Sequence, residues 1–311
     1  MNLSVSLGRL TLANPVLVAS GTFGYAREML GMFDLARLGG IVPKTVTLDP
    51  RAGNPPPRTV ETTAGLLNAI GLDNDGIDQF LEVKLPFLCE IGPPVIVSIA
   101  VKTPGECTIL GEKLKNATGI AAIELNISCP NVSGGTDYGT DPKRCREMVG
   151  LMRKSTDYPL FVKLTPNVAN IAEIALAAAG AGADGISAIN TCLGMAIDWR
   201  NRKPRLANGV GGLSGPAIKP IALRCVHQIY QAFQKEKIDI PILGIGGIAS
   251  ADDVLEFMVA GASAVQVGTA NFYNPTVVTQ ILDELPKILR DAGINDVCEV
   301  IGTLIIGTPR R

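Results

Sequence analysis

The sequence is poor in the residues that most metal and hydrolytic sites require. Its 311 residues include one histidine, His227, so a histidine-rich zinc site is excluded and a Ser-His-Asp triad would need that residue. No two of its seven cysteines are closer than sixteen positions, which excludes CxxC redox, zinc and iron–sulfur ligand runs. Unpaired cysteines of this kind predict a reduced, cytoplasmic protein without a metal site.

Charge and long apolar runs are equally scarce. Only 18% of the residues are charged and the net charge is −1, so the chain lacks the basic field that nucleic acid or an anionic membrane requires. Apolar stretches are interrupted well before 18 residues, which predicts no membrane span. The start, MNLSVSLGRL, is typical of neither a signal peptide nor a transit peptide. A hydrophobic content of 47% excludes a disordered chain.

Short apolar runs of strand type alternate with helical patterns along the whole chain. The runs are rich in Val, Ile, Leu and Ala without polar alternation, which is typical of parallel strands covered on both faces. Helical patterns follow each run, the first near 27–38. The eight predicted strands are Pro15–Ser20, Gly40–Val46, Val95–Val101, Ala122–Ile127, Leu160–Leu164, Gly185–Asn190, Ile240–Ile245 and Ala264–Gly268.

Eight such units without a break in composition favour one closed (β/α)8 barrel, the TIM barrel, over an open doubly wound α/β sheet. We therefore expect a single domain over residues 1–311. An N-terminal β-hairpin that turns at Gly8-Arg9 is expected at the bottom of the barrel. Two connections, from Thr47 to about Asn74 and from Thr191 to Gly215, are long for βα loops. Because both follow strands, they are expected at the C-terminal face as lids or binding loops, or else as surface decoration.

Glycines follow the last two predicted strands, in GIGGIAS (Gly244–Ser250) and VGTANF (Val267–Phe272). In barrels these two loops commonly bind a phosphate through backbone N–H groups and a helix N-terminus. Ordinary tight turns are the alternative interpretation. The pattern predicts a phosphate site at Gly246, Gly247, Gly268 and Thr269.

Three reactive side chains come from other strand ends. Lys163 lies inside an apolar strand and Lys44 near the end of another, and a lysine there is costly unless it is paired or used. Two lysines in one barrel mouth suit an anionic ligand or a developing anion. Cys129 lies between a strand end and Pro130-Asn131, where it is a candidate functional thiol or a small buried apolar residue.

The motifs NAIGLDN (Asn68–Asn74), NISCPNV (Asn126–Val132), FVKLTPNV, INT (Ile189–Thr191), GLSGPAIKP (Gly212–Pro220), GIGG and VGTANF stand in an order and spacing that resemble family 1 dihydroorotate dehydrogenases. The resemblance extends over the whole chain. It is most similar to the type 1B, NAD-linked group, whose catalytic subunit binds flavin mononucleotide (FMN). The resemblance implies oxidation of dihydroorotate to orotate in pyrimidine biosynthesis.

The resemblance also implies roles for individual residues. Cys129 would be the base that removes the C5 proton of dihydroorotate, while C6 delivers hydride to the flavin and Lys163 stabilises the charge that arrives there. The implied substrate-binding residues are Lys44, Asn68, Ala69, Ile70, Gly71, Leu72, Asn126, Asn190 and Thr191. The implied FMN-binding residues are Ser20, Gly21, Lys44, Thr45, Ser98, Asn126, Lys163, Ile189, Gly215, Gly246, Gly247, Gly268 and Thr269. Ser98 stands where relatives usually carry a flavin-contacting asparagine, and a serine is shorter.

The electron acceptor is left open by the sequence. This chain has no cysteine spacing for a cluster and no clear GxGxxG loop, so the resemblance implies a partner subunit that carries FAD and a [2Fe–2S] cluster. The implied assembly is a homodimer core with two such partners, a heterotetramer. The alternatives are a fumarate-using homodimer, a related dihydropyrimidine dehydrogenase module and a non-catalytic barrel that binds a phosphate ligand.

Overall fold

The computed structural model describes residues 1–127 and 138–307. Sixteen strands lie in this part of the chain, most of them short. Numbered along the chain, they are β1 (Val5–Leu7), β2 (Leu10–Leu12), β3 (Val16–Val18), β4 (Gly40–Ile41), β5 (Thr59–Thr62), β6 (Gly65–Asn68), β7 (Val95–Ala100), β8 (Ile120–Asn126), β9 (Leu160–Leu164), β10 (Gly185–Ala188), β11 (Cys192–Met195), β12 (Ile197–Asp198), β13 (Lys203–Pro204), β14 (Val210–Ser214), β15 (Ile242–Ile245) and β16 (Ala264–Val267).

Eight of these strands form a closed parallel barrel in the order β10-β15-β16-β3-β4-β7-β8-β9. Each of the eight predicted strands is present, so the predicted TIM barrel is confirmed. Two strands end well before their predicted ends: β3 ends at Val18 and β4 at Ile41. Ser20 and Lys44 therefore lie in the loops at the C-terminal face, where barrel active sites form.

Helices cover the outside of the barrel. They are α1 (Gly76–Gln79), α2 (Leu85–Ile91), α3 (Pro104–Lys115), α4 (Pro142–Ser155), α5 (Ile171–Ala179), α6 (Lys219–Glu236), α7 (Ala251–Val259), α8 (Ala270–Tyr273) and α9 (Val277–Asp291). A π-helical turn, Phe80–Lys84, joins α1 to α2. Side-chain oxygens of Thr103, Asp141, Asn170 and Ser250 accept hydrogen bonds at the starts of α3, α4, α5 and α7.

The prediction of a helix near 27–38 is wrong. Two 3-10 turns, Arg27–Met29 and Leu35–Arg37, stand in its place. Gly31 between them has a φ of 79°, and Asp34 accepts a hydrogen bond from the amide of Ala36. A left-handed residue and a new N-cap within one segment prevent a continuous helix.

The predicted N-terminal hairpin is formed by β1 and β2. It turns at Gly8, whose φ is 66°, and it buries Leu7 and Leu12 in the core. Arg9 Nη2 lies 3.4 Å from Oδ2 of Asp184, the residue just before β10. The hairpin therefore closes the N-terminal end of the barrel, opposite the C-terminal face.

The two long connections pair with each other. Strands β5 and β6 from the first and β11 and β14 from the second form one antiparallel sheet in the order β11-β14-β6-β5. We call this the mouth sheet. Thr269 Oγ1, just after β16, donates to Ser214 Oγ of β14 at 2.8 Å and ties the mouth sheet to the barrel. The expected loops are thus structured walls of the barrel mouth.

Membrane-spanning helices were also sought in the described part of the chain. None of the helices there combines the length and the apolar character that crossing a bilayer requires.

Candidate active site

A cavity of about 460 Å³ opens at the C-terminal face of the barrel, below the mouth sheet. Its size is within the range of about 300–1,000 Å³ that is usual for small-molecule sites. Its walls come from the ends of seven barrel strands and from the mouth sheet. The lining residues are Ala19, Ser20, Gly21, Thr22, Lys44, Thr45, Thr59, Leu66, Asn68, Ile70, Gly71, Leu72, Asn126, Lys163, Ile189, Asn190, Thr191, Ser214, Gly215, Ile218, Ile245, Gly246, Gly247, Gly268, Thr269 and Phe272.

Most of the residues predicted from sequence meet in this cavity. Two described residues do not: Ala69 and Ser98 are absent from its lining. Ala69 is 1% exposed and packs in a small apolar cluster with Leu67 and Leu206, because its side chain leaves the opposite side of the segment from Asn68. Cys129, the predicted base, lies outside the described residues. The roles of the residues that do meet stay predictions.

Ser98 reaches the cavity only through another residue. Its side chain is fully buried, and its Oγ lies 2.9 Å from Thr45 Oγ1, which in turn lies 2.9 Å from Ser20 Oγ. Three hydroxyl groups therefore run from the cavity wall into the barrel interior. Ser98 is therefore connected to the cavity through Thr45 and does not line it itself.

The two predicted lysines approach the cavity from different strands. Lys163 lies on β9 with its side chain only 7% exposed, and its Nζ is 3.5 Å from Glu124 Oε1. Lys44 follows β4, and its backbone amide donates to the carbonyl O of Gly24 at 3.0 Å. Lys44 and Lys163 both line the cavity, so each can contribute an ammonium group to the binding of an anionic ligand.

Residues 68–72 form a fixed edge of the cavity. Asn54 holds this segment twice: its amide N donates to Ile70 O and its Nδ2 donates to Ala69 O, both at 2.9 Å. Leu72 has a φ of 59° and Gly71 a φ of 79°, so the backbone turns sharply there. Backbone groups and the Asn68 amide are thereby presented in set directions, which suits a planar ring with alternating donors and acceptors.

Amide side chains define the opposite edge. Asn190 Oδ1 accepts from the amide of Thr191 at 2.9 Å, and Asn167 Nδ2 donates to the carbonyl O of Thr191 at 3.1 Å. Asn126 ends β8 beside Lys163 in the sheet register. These contacts fix the backbone of the strand ends that face the cavity.

Glycines form the far end of the cavity, as predicted for a phosphate. Gly246 and Gly247 have φ values of 132° and 76°. A Cβ on Gly247 would lie 2.7 Å from Lys219 Cβ and 3.0 Å from the carbonyl O of Gly215. The backbone can follow this path only without a side chain.

The helix N-terminus expected beside these glycines is already capped. Asp253 Oδ2 accepts from the amides of Ala249 and Ser250, and Ser250 Oγ accepts from the amide of Asp253. Lys219 Nζ lies 2.5 Å from Asp253 Oδ1 and 2.8 Å from Glu256 Oε2. The start of α7 is therefore closed by its own capping box, and the loop backbone is left for an anion.

This ion pair shifts both partners toward their charged forms. Hydrogen bonds to Asp253 and Glu256 raise the pKa of Lys219. Burial would raise the pKa of Asp253, but hydrogen bonds from Lys219, the Ala249 amide and Ser250 outweigh it and hold that pKa below its usual range.

Several lining residues were not predicted. Thr59, Leu66 and Ser214 enter the cavity wall because β5, β6 and β14 pair across it, and Phe272 enters from α8. Their residue types carry no signal of ligand binding. Finding them from the sequence would have required a prediction that these two distant segments pair.

Comparisons with known proteins identify the family. The family model described as Dihydroorotate dehydrogenase matches residues 2–289. The chain is 53% identical over 305 residues to the protein of Geotalea uraniireducens named dihydroorotate dehydrogenase B (NAD(+)), catalytic subunit, with 98% of each chain covered. The chain belongs to the dihydroorotate dehydrogenase family. The resemblance predicted from its motifs is thus confirmed.

Other members of the dihydroorotate dehydrogenase family show the same extent of similarity. A protein of Desulforamulus reducens with the same name is 53% identical over 303 residues, covering 97% of this chain and 98% of that protein. One of Bacillus pumilus, also so named, is 50% identical over 301 residues, covering 96% of each. The similarity therefore includes the barrel, the mouth sheet and the cavity together.

Proposed function

We propose that this chain oxidises dihydroorotate to orotate in pyrimidine biosynthesis, as an FMN-containing catalytic subunit that works over residues 1–311 as one domain. The observation that carries the proposal is the cavity, in which two lysines, a fixed amide-bearing segment and a glycine-lined end meet. Its relatives' printed names specify dihydroorotate dehydrogenase B (NAD(+)), catalytic subunit.

The residues present fit FMN. The glycine-lined end at Gly246, Gly247 and Gly268 offers backbone groups to a phosphate, and Thr269 adds a hydroxyl. A Cβ on Gly21 would lie 3.9 Å from Lys44 Nζ, so the missing side chain leaves space beside that ammonium group. Lys163 would face the flavin edge that becomes negative.

The chemistry divides between the cofactor and the chain. FMN, when bound, supplies a hydride acceptor for the hydrogen that leaves C6 of dihydroorotate. Cys129 takes the C5 proton on its thiolate, and we propose that Lys44, the 68–72 segment, Asn126, Asn190 and Thr191 bind and orient the substrate. A positioned base of this kind contributes about 10²–10⁴-fold to a proton transfer.

We propose NAD as the final acceptor, reached through a partner subunit that carries FAD and a [2Fe–2S] cluster. The printed names of the relatives support NAD as the acceptor, by the term NAD(+), and the existence of a partner, by the term catalytic subunit. We propose the cytoplasm as its location, because the six cysteines that the structure describes are free thiols.

A homodimer core is the proposed assembly of this chain. Exposed apolar side chains cluster on β11 and the β12–β13 hairpin beyond it: Leu193 is 50% exposed, Met195 54%, Ile197 59% and Trp199 71%. We call these four residues the hairpin patch. An exposed apolar patch on a protein surface is typical of a protein–protein contact.

The test is anaerobic reduction of the purified chain reconstituted with FMN. We expect dihydroorotate to bleach the flavin absorption, and orotate to shift the spectrum of the oxidised flavin. Turnover with NAD is expected only when the partner subunit is added. Fast turnover of the isolated chain with fumarate would instead identify the homodimeric class, and reduction of uracil or thymine a dihydropyrimidine enzyme. A protein that takes up no FMN would contradict the proposal.

A further inference from the structure

A buried carboxylate lies directly behind the cavity lysine. Glu124 on β8 is fully buried, and its Oε1 is 3.5 Å from Lys163 Nζ. Its Oε2 accepts hydrogen bonds from Ser187 Oγ at 2.8 Å and from Gln266 Nε2 at 2.7 Å. Four strands, β8, β9, β10 and β16, therefore contribute to one buried polar cluster inside the barrel.

The cluster is arranged around the charge of Glu124. Oε2 has two neutral donors, whereas Oε1 faces the ammonium group at a long distance. Gln266 must turn its amide N–H toward the carboxylate, which leaves its Oε1 without a hydrogen-bond partner among the residues that the structure describes. An unpartnered buried oxygen is unfavourable. The hydrogen bond from Gln266 to the Glu124 carboxylate is therefore made at the cost of leaving the Gln266 oxygen without a partner.

Lys163 is shared between this cluster and the cavity. It is the member of the cluster that lines the cavity wall, while Glu124, Ser187 and Gln266 are fully buried behind it. From the cavity, a positive charge with a negative charge 3.5 Å away acts as a dipole rather than as a full cation. Removal of the carboxylate would expose the cavity to the whole charge of Lys163.

We propose that Glu124 offsets the charge of Lys163 and so sets the reduction potential of the bound flavin; this inference rests on the proposed function. In the half-reaction, the C5 proton goes to Cys129 and the C6 hydride, with two electrons, enters the flavin. The hydride carries one negative charge into the cavity. Lys163 favours this reduced state, and Glu124 limits by how much.

The test is the midpoint potential of the FMN-loaded protein, measured by equilibration with a reference dye. Glu124→Gln keeps the shape of the side chain and removes its charge. We expect the potential to rise, with about a tenfold change in the reduction equilibrium, which corresponds to about 30 mV for a two-electron couple. An unchanged or lower potential would overturn the inference.

Ser187→Ala is expected to shift the midpoint potential in the opposite direction and by a smaller amount. It removes a donor to Glu124 Oε2, so the carboxylate charge is less compensated and the potential should fall by a smaller amount. If the two substitutions acted only by disturbing the local structure, the midpoint potentials of both variants would shift in the same direction. If Glu124→Gln does not fold, an unchanged or raised potential in Ser187→Ala overturns the inference. If dihydroorotate bleaches the flavin of the wild-type protein but neither variant has an altered potential, the inference fails and the proposed function stands. A wild-type chain that binds no FMN would refute both.

Discussion

Asn68 and Gly212 lie opposite each other in neighbouring strands of the mouth sheet, and Asn68 Nδ2 donates to the carbonyl O of Gly212 at 3.2 Å. This contact joins the two long insertions of the barrel at a residue predicted to bind substrate. The position of the Asn68 amide is therefore set by the second long connection, which is distant from Asn68 in sequence. If Asn68 binds substrate as proposed, substrate binding depends on the mouth sheet as well as on the barrel.

Gly247→Ala is expected to weaken FMN binding at least tenfold. Its φ of 76° strains an L-residue, and its Cβ would meet Lys219 and Gly215 at the phosphate end of the cavity. Gly293→Ala is the matched control, because Gly293 has a φ of 74° but nothing within 4 Å of its Cβ position. Backbone strain should cost both variants about 1–2 kcal/mol of stability, and Gly247→Ala should lose more than the control because of its close contacts. Flavin fluorescence quenching measures the affinity, and equal affinities would refute the phosphate site.

Cys129→Ala is expected to slow flavin reduction by dihydroorotate about 10²–10⁴-fold, because the base for the C5 proton is removed. Binding of FMN and orotate should persist, since the thiol is not proposed to hold either. Anaerobic stopped-flow absorbance measures the reduction, and the orotate-induced spectral shift provides the control. A rate near that of the wild type would mean that Cys129 is not the base.

Lys163→Ala is expected to slow flavin reduction about 10²–10³-fold or to abolish FMN retention, because the buried cation at the cavity wall is lost. Lys115→Ala on the exposed surface of α3 is the control. The flavin-to-protein absorbance ratio and the single-turnover rate are measured for both. If Lys163→Ala matches the control on both measures, its proposed role is wrong.

Asp253→Asn should flatten the acid limb of the stability curve. The pKa of Asp253 is lower in the folded chain than its ordinary 3.8, so its contribution is present above about pH 4 and is lost as the pH falls through the folded value. At pH 7 the free energy of unfolding of the variant should be about 1–2 kcal/mol lower than that of the wild type, because the capping box is lost. Below pH 4 this difference should be smaller. Urea unfolding at several pH values tests this, with the exposed Asp283→Asn as control.

Trp199→Glu is expected to shift the chain from dimer toward monomer. Trp199 is 71% exposed and belongs to the hairpin patch, so a charge there opposes burial against a second copy. Ile305→Glu, at a position that is 91% exposed and outside the patch, is the control. Light scattering after size-exclusion chromatography gives the mass of each. A dimer unaffected by Trp199→Glu would exclude the hairpin patch as the interface.

The barrel could be predicted from sequence because its strands are local and distinctive. Runs such as Val95–Ala100 are apolar at every position, as parallel strands covered on both faces require. The segment near 27–38 was misjudged because its apolar spacing suits a helix, while Gly31 and Asp34 impose turns. Local backbone preference there outweighed hydrophobic periodicity.

The site was predictable only where a residue's chemistry was conspicuous. Lys163 inside an apolar strand and the glycines after β15 and β16 could be singled out, and they line the cavity. The buried cluster around Glu124 was not predicted, because a glutamate near a strand end gives no indication that Ser187 and Gln266 will surround it. Such clusters depend on the register between neighbouring strands and on which side chains point inward, and the predicted strand order specifies neither.

The pairing of β6 with β14 also governs when the site can come into being. Asn68 and Gly212 are separated by 144 positions, so their contact requires the closure of a long loop. During synthesis, the first insertion leaves the ribosome long before the second exists. The substrate pocket is consequently a late product of folding, and no N-terminal fragment that stops before β14 can contain it.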